Sequence, residues 1–245
     1  MNRVPSGKRK NKMPKSILDD ILVDKKQVNN SEVENKILDP LLQEINLISD
    51  ETIKSFIRSL LLKSEYFWDI PSSFSGKYHP YDEHGIGGNV LHTKRVTRIV
   101  AILADSYNLS PEERDIVLAA AIIHDICKGK KDNGAEHPCY DPMHPYTVGK
   151  FVEKCRSKDK QNNSDSDSST LYLSEEIVQS ILRLVRCHLG PWSPIPETFP
   201  ITYLDFIVHL ADNIASKMHT VIEDSELINP KWKKDGSRTE TKKKI

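Results

Sequence analysis

The chain has 245 residues, 35 of them basic and 35 acidic, with 38% hydrophobic and 29% charged residues. That length suits one substantial domain with tails, and zero net charge removes any global field favouring nucleic acid or a membrane surface. The longest apolar run, "IVLAAAII" from Ile116, is far shorter than the roughly 20 residues of a membrane-spanning helix. Cys127, Cys139, Cys155 and Cys187 form no C-x-x-C pair and no zinc-finger spacing, and no signal peptide precedes them. The expectation is therefore a soluble, cytoplasmic protein without a membrane partner.

Charge is uneven at the ends. "GKRKNKMPK" near the start and "KWKKDGSRTETKKKI" at the end are basic runs, expected as disordered tails, with nucleic-acid contact as the alternative. The expected organisation is a tail with weak helices over residues 1–49, a core over 50–222 and a basic tail over 223–245. A mobile low-complexity insertion is expected at about 157–170, in "SKDKQNNSDSDSST".

In chain order, "SILDDILVDKKQ" and "SEVENKILDPLLQEINLI" have helical spacing but are polar, and the second is interrupted at Pro40. "SDETIKSFIRSLLLKSEYFW" is a stronger helix, with Ser49 or Asp50 as its cap and Ile53, Phe56, Ile57, Leu60 and Leu61 on one face. A loop containing Gly76, Pro80, Gly85, Gly87 and Gly88 leads to a helix from about Asn89 to Tyr107 that carries His92. Ser110 and Pro111 open the next helix, apolar nearly all round and so expected to be central and buried. It runs into His124 and Asp125. Further helices are expected over Pro145 to Cys155, "SEEIVQSILRLVRCHL" and "ITYLDFIVHLADNIASKMHTVI". No convincing strand is visible, so the fold class is all-α.

Five segments place a histidine or aspartate on or beside an apolar helical face: His92, His124 with Asp125, His144, His188 and Asp212. Each alone reads as a satisfied core residue; together they read as a metal site. Imidazole and carboxylate suit divalent manganese, iron, cobalt, nickel or zinc rather than calcium. Successive helical residues point about 100° apart, so His124 and Asp125 do not chelate along one direction. The two carboxylate oxygens of Asp125 allow it instead to bridge two ions, which would compensate a charge at the end of an apolar run.

"GGNVLHT", "HDICK", "HPYTVG", "RCHLGPW" and "HLADNIASKM" resemble, in order, the motifs of the HD-domain metal-dependent phosphohydrolases. The resemblance spans about residues 50 to 220 and implies an HD-domain helical bundle. The plan of "IPSSFSGKYHPYDEHGIGGNVLHT" is most similar to the HD domain of a bacterial 3′-to-5′ exoribonuclease type. That type carries an OB-fold domain ahead of its HD domain, and residues 1–49 contain nothing to build one. Its HDIGK motif is "HDICK" here, with Cys127 in place of glycine, and its paired histidines become Cys187-His188.

The resemblance implies one ion on His92, His124, Asp125 and Asp212, and a second on Asp125, His144 and His188. It implies hydrolysis of a phosphoester by a metal-bound hydroxide. Lys128 is then placed to hold a phosphate oxygen, its alternative being a solvated surface lysine. His79 and His84 of the glycine-rich loop are candidates for phosphate contact or for protonating a leaving oxygen. Trp192 is a candidate for stacking on a base, or simply a packing residue. His137 rivals His144 in the same loop; His209 and His219 read as packing or surface residues. The expected partner is a phosphorylated small molecule of the nucleotide type. A 3′-to-5′ exonuclease acting on single-stranded RNA or DNA and a catalytically silent HD-fold binding module are the alternatives.

Overall fold

The computed structural model describes residues 30–131, 138–162 and 173–217. The segment "SILDDILVDKKQ", both basic runs, His137 and His219 lie outside the described residues. Within them the fold is all-α: α1 (Asn30–Leu38), α2 (Leu42–Ile45), α3 (Glu51–Lys63), α4 (Gly88–Ser106), α5 (Pro111–Ile123), α6 (His144–Asn162), α7 (Glu175–Cys187) and α8 (Tyr203–Lys217). The one departure is an antiparallel pair of two-residue strands, β1 (Gly129–Lys130) and β2 (Cys139–Tyr140), which period-2 reading cannot detect at that length.

Helix α5 is the axis of the bundle. Ser110 and Glu113 form a reciprocal capping box with Pro111 at the first helical position. From Val117 to Ile123 every residue is fully buried. Helices α3, α4, α7 and α8 pack around it, as a helix without a polar face requires. Asp115 on the same helix is buried, yet it accepts hydrogen bonds from the backbone N–H groups of Ser49 (2.9 Å) and Asp50 (2.7 Å). Asp50 in turn caps α3 by accepting from Thr52 and Ile53, so the start of α3 is tied to α5.

Two boundaries differ from the sequence-based expectation. The segment around Pro40 is not peripheral: Leu38, Leu41, Ile45 and Ile48 are fully buried, so the packed unit begins well before residue 50. Its polar composition concealed four apolar anchors spaced to meet the core. Helix α6 runs to Asn162 rather than ending near Cys155, so the first residues of the low-complexity segment are helical. Buried Val152 and Cys155 hold that helix against the core.

Helix α8 is fixed to α7 through Asp205. Thr202 Oγ1 accepts from the Asp205 N–H (3.2 Å), and the Asp205 carboxylate accepts from the N–H groups of Ile201 (3.1 Å) and Thr202 (2.9 Å). It also takes a two-point contact from Arg183 of α7 at 3.0 and 3.2 Å. Burial pushes this carboxyl up, but Arg183 and the backbone donors outweigh it and hold it below its usual range. A group depressed in this way contributes stability above the ordinary carboxylate range, and that contribution is lost as pH falls through the folded value. Asp205→Asn should therefore destabilise the protein by about 1–3 kcal/mol at pH 7. Denaturant unfolding should show the gap to wild type narrowing below about pH 4.

Candidate metal centre

Five helices deliver the candidate ligands to one point. His92 lies in the second turn of α4, His124 ends α5 and Asp125 follows it. His144 begins α6, His188 ends α7, and Asp212 projects from α8. His92, His124, Asp125, His144 and His188 are all buried, and Asp212 is half-buried.

The two oxygens of Asp125 face different neighbours. Oδ1 lies 2.9 Å from His144 Nε2 and 3.8 Å from His188 Nε2. Oδ2 lies 3.4 Å from His124 Nε2 and 2.5 Å from the ammonium of Lys128. On the His124 side, Asp212 Oδ1 is 2.9 Å from His92 Nε2 and 3.8 Å from His124 Nε2. The result is two clusters that share Asp125, one with His92 and His124 and one with His144 and His188; within each, the candidate ligand atoms lie within 4.8 Å of one another.

Hydrogen bonding presets the ring nitrogens. His124 Nδ1 donates to the Ala121 carbonyl (2.7 Å), His144 Nδ1 to Asp141 (2.8 Å) and His188 Nδ1 to Val185 (2.6 Å). A neutral imidazole that donates from Nδ1 keeps a lone pair on Nε2, the form that binds metals. The Nε2 atoms of His144 and His188 then face each other at 3.3 Å with no proton between them. His124 Nε2 and Asp125 Oδ1 are buried without a hydrogen-bond partner. Opposed lone pairs and an orphaned buried carboxylate oxygen are unfavourable in a dry interior, and cations at the two clusters would relieve both. The donor set fits divalent transition metal.

The charges follow this pattern. Burial pushes the Asp125 carboxyl up, but Lys128 and His124 overcome it and hold it well below the usual range. Burial drives His188 down to about 3, so it stays neutral. Burial also opposes protonation of His92, but the hydrogen bond to Asp212 and the nearby Glu83 carboxylate raise it to about 9. The thiols beside the site are pushed up by burial, Cys127 to about 12 and Cys187 to about 11, so neither offers a thiolate. None of the four cysteines forms a disulfide.

A cavity of about 490 Å³ opens beside the cluster; Asp125, His144, His188 and Asp212 form its floor, and Lys128, Lys217, His79 and Trp192 lie around it. Lys128 is not a solvated lysine: it is 7% exposed and bound to Asp125. Trp192 is 64% exposed, with the Lys217 ammonium 5.8 Å from its ring centre, so it is not core packing. His84 does not line the cavity; its Nε2 donates to the His79 carbonyl (3.1 Å) and so supports His79 from behind. His209, read from sequence as packing or surface, braces the site, donating from Nδ1 to the His188 carbonyl (2.8 Å).

Glu83 is a residue that sequence reasoning passed over. It is fully buried, with Oε2 3.0 Å from His79 Nδ1 and 3.3 Å from His92 Nδ1, and Oε1 paired with Arg95. Burial pushes its carboxyl up, but His79, His92 and Arg95 bring it down to about 2. The available signal was an acidic residue inside the glycine-rich loop leading to His92. Gly88 is required there because a Cβ would stand 2.0 Å from the Glu83 carbonyl oxygen.

The sequence matches the HD domain family over residues 90–217. The chain belongs to that family, whose members are generally metal-dependent hydrolases. No curated protein and no solved structure matches it significantly. Among the described residues, no helix is long and apolar enough to cross a membrane.

The turn after His188 depends on Gly190, whose φ of +54° is left-handed and whose Cβ position would fall 2.2 Å from the His209 ring. Gly190→Ala should cost roughly 1–3 kcal/mol of stability through strain and clash. Calorimetry should register that loss, and metal titration should show weaker uptake because the His188 carbonyl loses its brace.

Proposed function

We propose that the protein is a metal-dependent phosphohydrolase that cleaves a phosphoester or phosphodiester of a nucleotide-type substrate. The observation carrying this reading is the division of Asp125 between two histidine clusters whose ring nitrogens are already set for metal. His92, His124, Asp125 and Asp212 would hold one ion, and Asp125, His144 and His188 the other. Bound there, divalent ions supply Lewis acidity toward phosphoryl oxygens and acidify a water.

The side chains of the chain itself do the rest. Lys128 and Lys217 give the cavity two ammonium groups, which draw an anionic substrate toward the ligand cluster. Lys128, held against Asp125, would take a phosphate oxygen as charge develops in the transition state. His79 adds a polar group to the same wall, and the exposed face of Trp192 offers a stacking platform for a base. Burial of the ligand cluster excludes bulk water and strengthens each of these interactions.

The exoribonuclease alternative rests on the motif order of the glycine-rich loop and on the basic runs at the chain ends, which would supply strand contacts. Affinity built from phosphate contacts falls steeply with salt. Deleting residues 1–13 and the chain from Lys231 should leave hydrolysis of mononucleotides and cyclic nucleotides nearly unchanged. Processive shortening of single-stranded RNA from its 3′ end, faster than any mononucleotide turnover and lost on this deletion, would establish the nuclease reading instead.

Metal analysis after loading with manganese or iron should find two ions per chain. Asp125→Ala should abolish hydrolysis and lower metal content together. Lys128→Ala should reduce kcat by about 100-fold while metal content stays at or above the wild-type level. Full metal content without turnover on any phosphoester in a broad screen would point to a silent binding module.

A further inference from the structure

We propose that Glu83 is the positioning residue that makes His92 a ligand, by holding the proton on its Nδ1. The inference rests on the metal-site reading above and extends it beyond the ligands themselves.

Three of the four candidate histidines donate from Nδ1 to a backbone carbonyl three residues earlier: His124 to Ala121, His144 to Asp141 and His188 to Val185. These carbonyls are open to a ring donor because of where the histidines sit, although Asp141 and Val185 also accept from the N–H groups of His144 (3.1 Å) and His188 (3.4 Å). His124 and His188 cap the ends of α5 and α7, where the last carbonyls of a helix lack a donor four residues on. His144 follows a turn, and Asp141 precedes its helix. His92 is different. It lies inside α4, where each carbonyl already accepts from the N–H four residues on. Its Nδ1 has no backbone carbonyl as a partner.

Glu83 fills that role from outside the helix. Its Oε2 is the carboxylate oxygen facing His92 Nδ1, 3.3 Å away, an ion-pair approach in which Nδ1 has no aligned hydrogen bond, while Asp212 Oδ1 stands 2.9 Å from His92 Nε2. His92 is thus flanked by two carboxylates, one on each nitrogen. Asp212 Oδ1 also lies 3.8 Å from His124 Nε2, so a cation held between these groups would take the place of the proton on His92 Nε2. Glu83 then decides that the remaining proton stays on Nδ1 and that the ring keeps its angle. A carboxylate behind a ligating imidazole also makes the ligand more basic.

The rest of the loop holds Glu83 in place. Arg95, one turn of α4 beyond His92, pairs with Oε1 and makes two contacts with Asp82, at 2.6 and 3.1 Å. The Glu83 carbonyl accepts from Ser72 N–H (2.9 Å) and abuts Gly88. Because Arg95 keeps Asp82, removing the Glu83 carboxylate does not leave a guanidinium unpaired. His79 shares Oε2 at 3.0 Å, which links the cavity wall to the same carboxylate.

The test uses cobalt as the probe on the full chain, with Glu83→Met, which has no acceptor at similar length, and Glu83→Gln, which keeps an acceptor oxygen. Cobalt affinity is measured by chelator competition, and the exchangeable imidazole N–H signals of the cobalt-loaded protein are followed by NMR. Wild type should show one protected N–H for each ligating histidine. Glu83→Met should lose one of these signals to exchange with water and bind cobalt about 10- to 100-fold more weakly. Glu83→Gln should retain the signal at a shifted frequency and lose less than about 10-fold. Unchanged affinity with every signal in place in Glu83→Met overturns the role, as does an equal loss in both variants with all signals retained. If Glu83→Met does not fold, Glu83→Gln decides alone, and an unshifted signal with unchanged affinity overturns it. Failure of the wild type to take up cobalt would instead remove the metal-site reading, and this role with it.

Discussion

A carboxylate buried at the end of an apolar helix is the constraint on which the rest of this structure depends. Asp125 is 1% exposed and follows a helix that is buried all round, so its charge must be matched from within the protein. Lys128 supplies one positive charge at 2.5 Å, and imidazoles from three other segments converge on the two oxygens. Helix α5 can deliver this group only because α3, α4, α7 and α8 cover it on every side. The hydrophobic packing and the electrostatic problem are therefore one arrangement: the apolar surface that stabilises the bundle is also what removes water from Asp125.

Helix termini answer much of the same problem. A helix leaves its last carbonyls without a donor four residues on, and in α5 and α7 the residue that closes the helix is a histidine whose Nδ1 bonds to one of them. One hydrogen bond thus satisfies a backbone acceptor, fixes a tautomer and aims Nε2 inward. It also leaves like lone pairs facing one another across the His144 and His188 gap. Such a centre is frustrated without cations, and anything that binds only the folded arrangement stabilises it by mass action. Metal binding at these nitrogens would be coupled to folding.

The irregular segment between α3 and α4 is the cavity wall and not a mere connection. Backbone hydrogen bonds from His79 to Ser216 (3.0 Å) and from Asn89 to Ile70 (3.1 Å) fasten it to α8 and to its own start. His79 adopts a left-handed φ of 75° within it, an uncommon conformation for a residue with a side chain. That backbone turn presents the His79 ring to the cavity while His84 supports it from behind. The two histidines look equivalent in the sequence, and the direction of the chain separates them.

Period, caps and breakers in the sequence determined the all-α class, the central place of α5, its Ser110–Pro111 start and the presence of a helix at each candidate ligand. These are local properties, set within a turn or two by side-chain spacing and backbone donors. The motif order likewise brought His92, His124, Asp125, His144, His188 and Asp212 into one hypothesis. Tertiary structure alone decided what depends on contacts distant along the chain. It buried Leu38, Leu41, Ile45 and Ile48 in the core despite their polar neighbours, turned Lys128 onto Asp125 and left Trp192 exposed at the cavity. It also set Glu83 behind His92, 3.3 Å from its Nδ1, a juxtaposition made by the loop's path that has no trace in the spacing of residues.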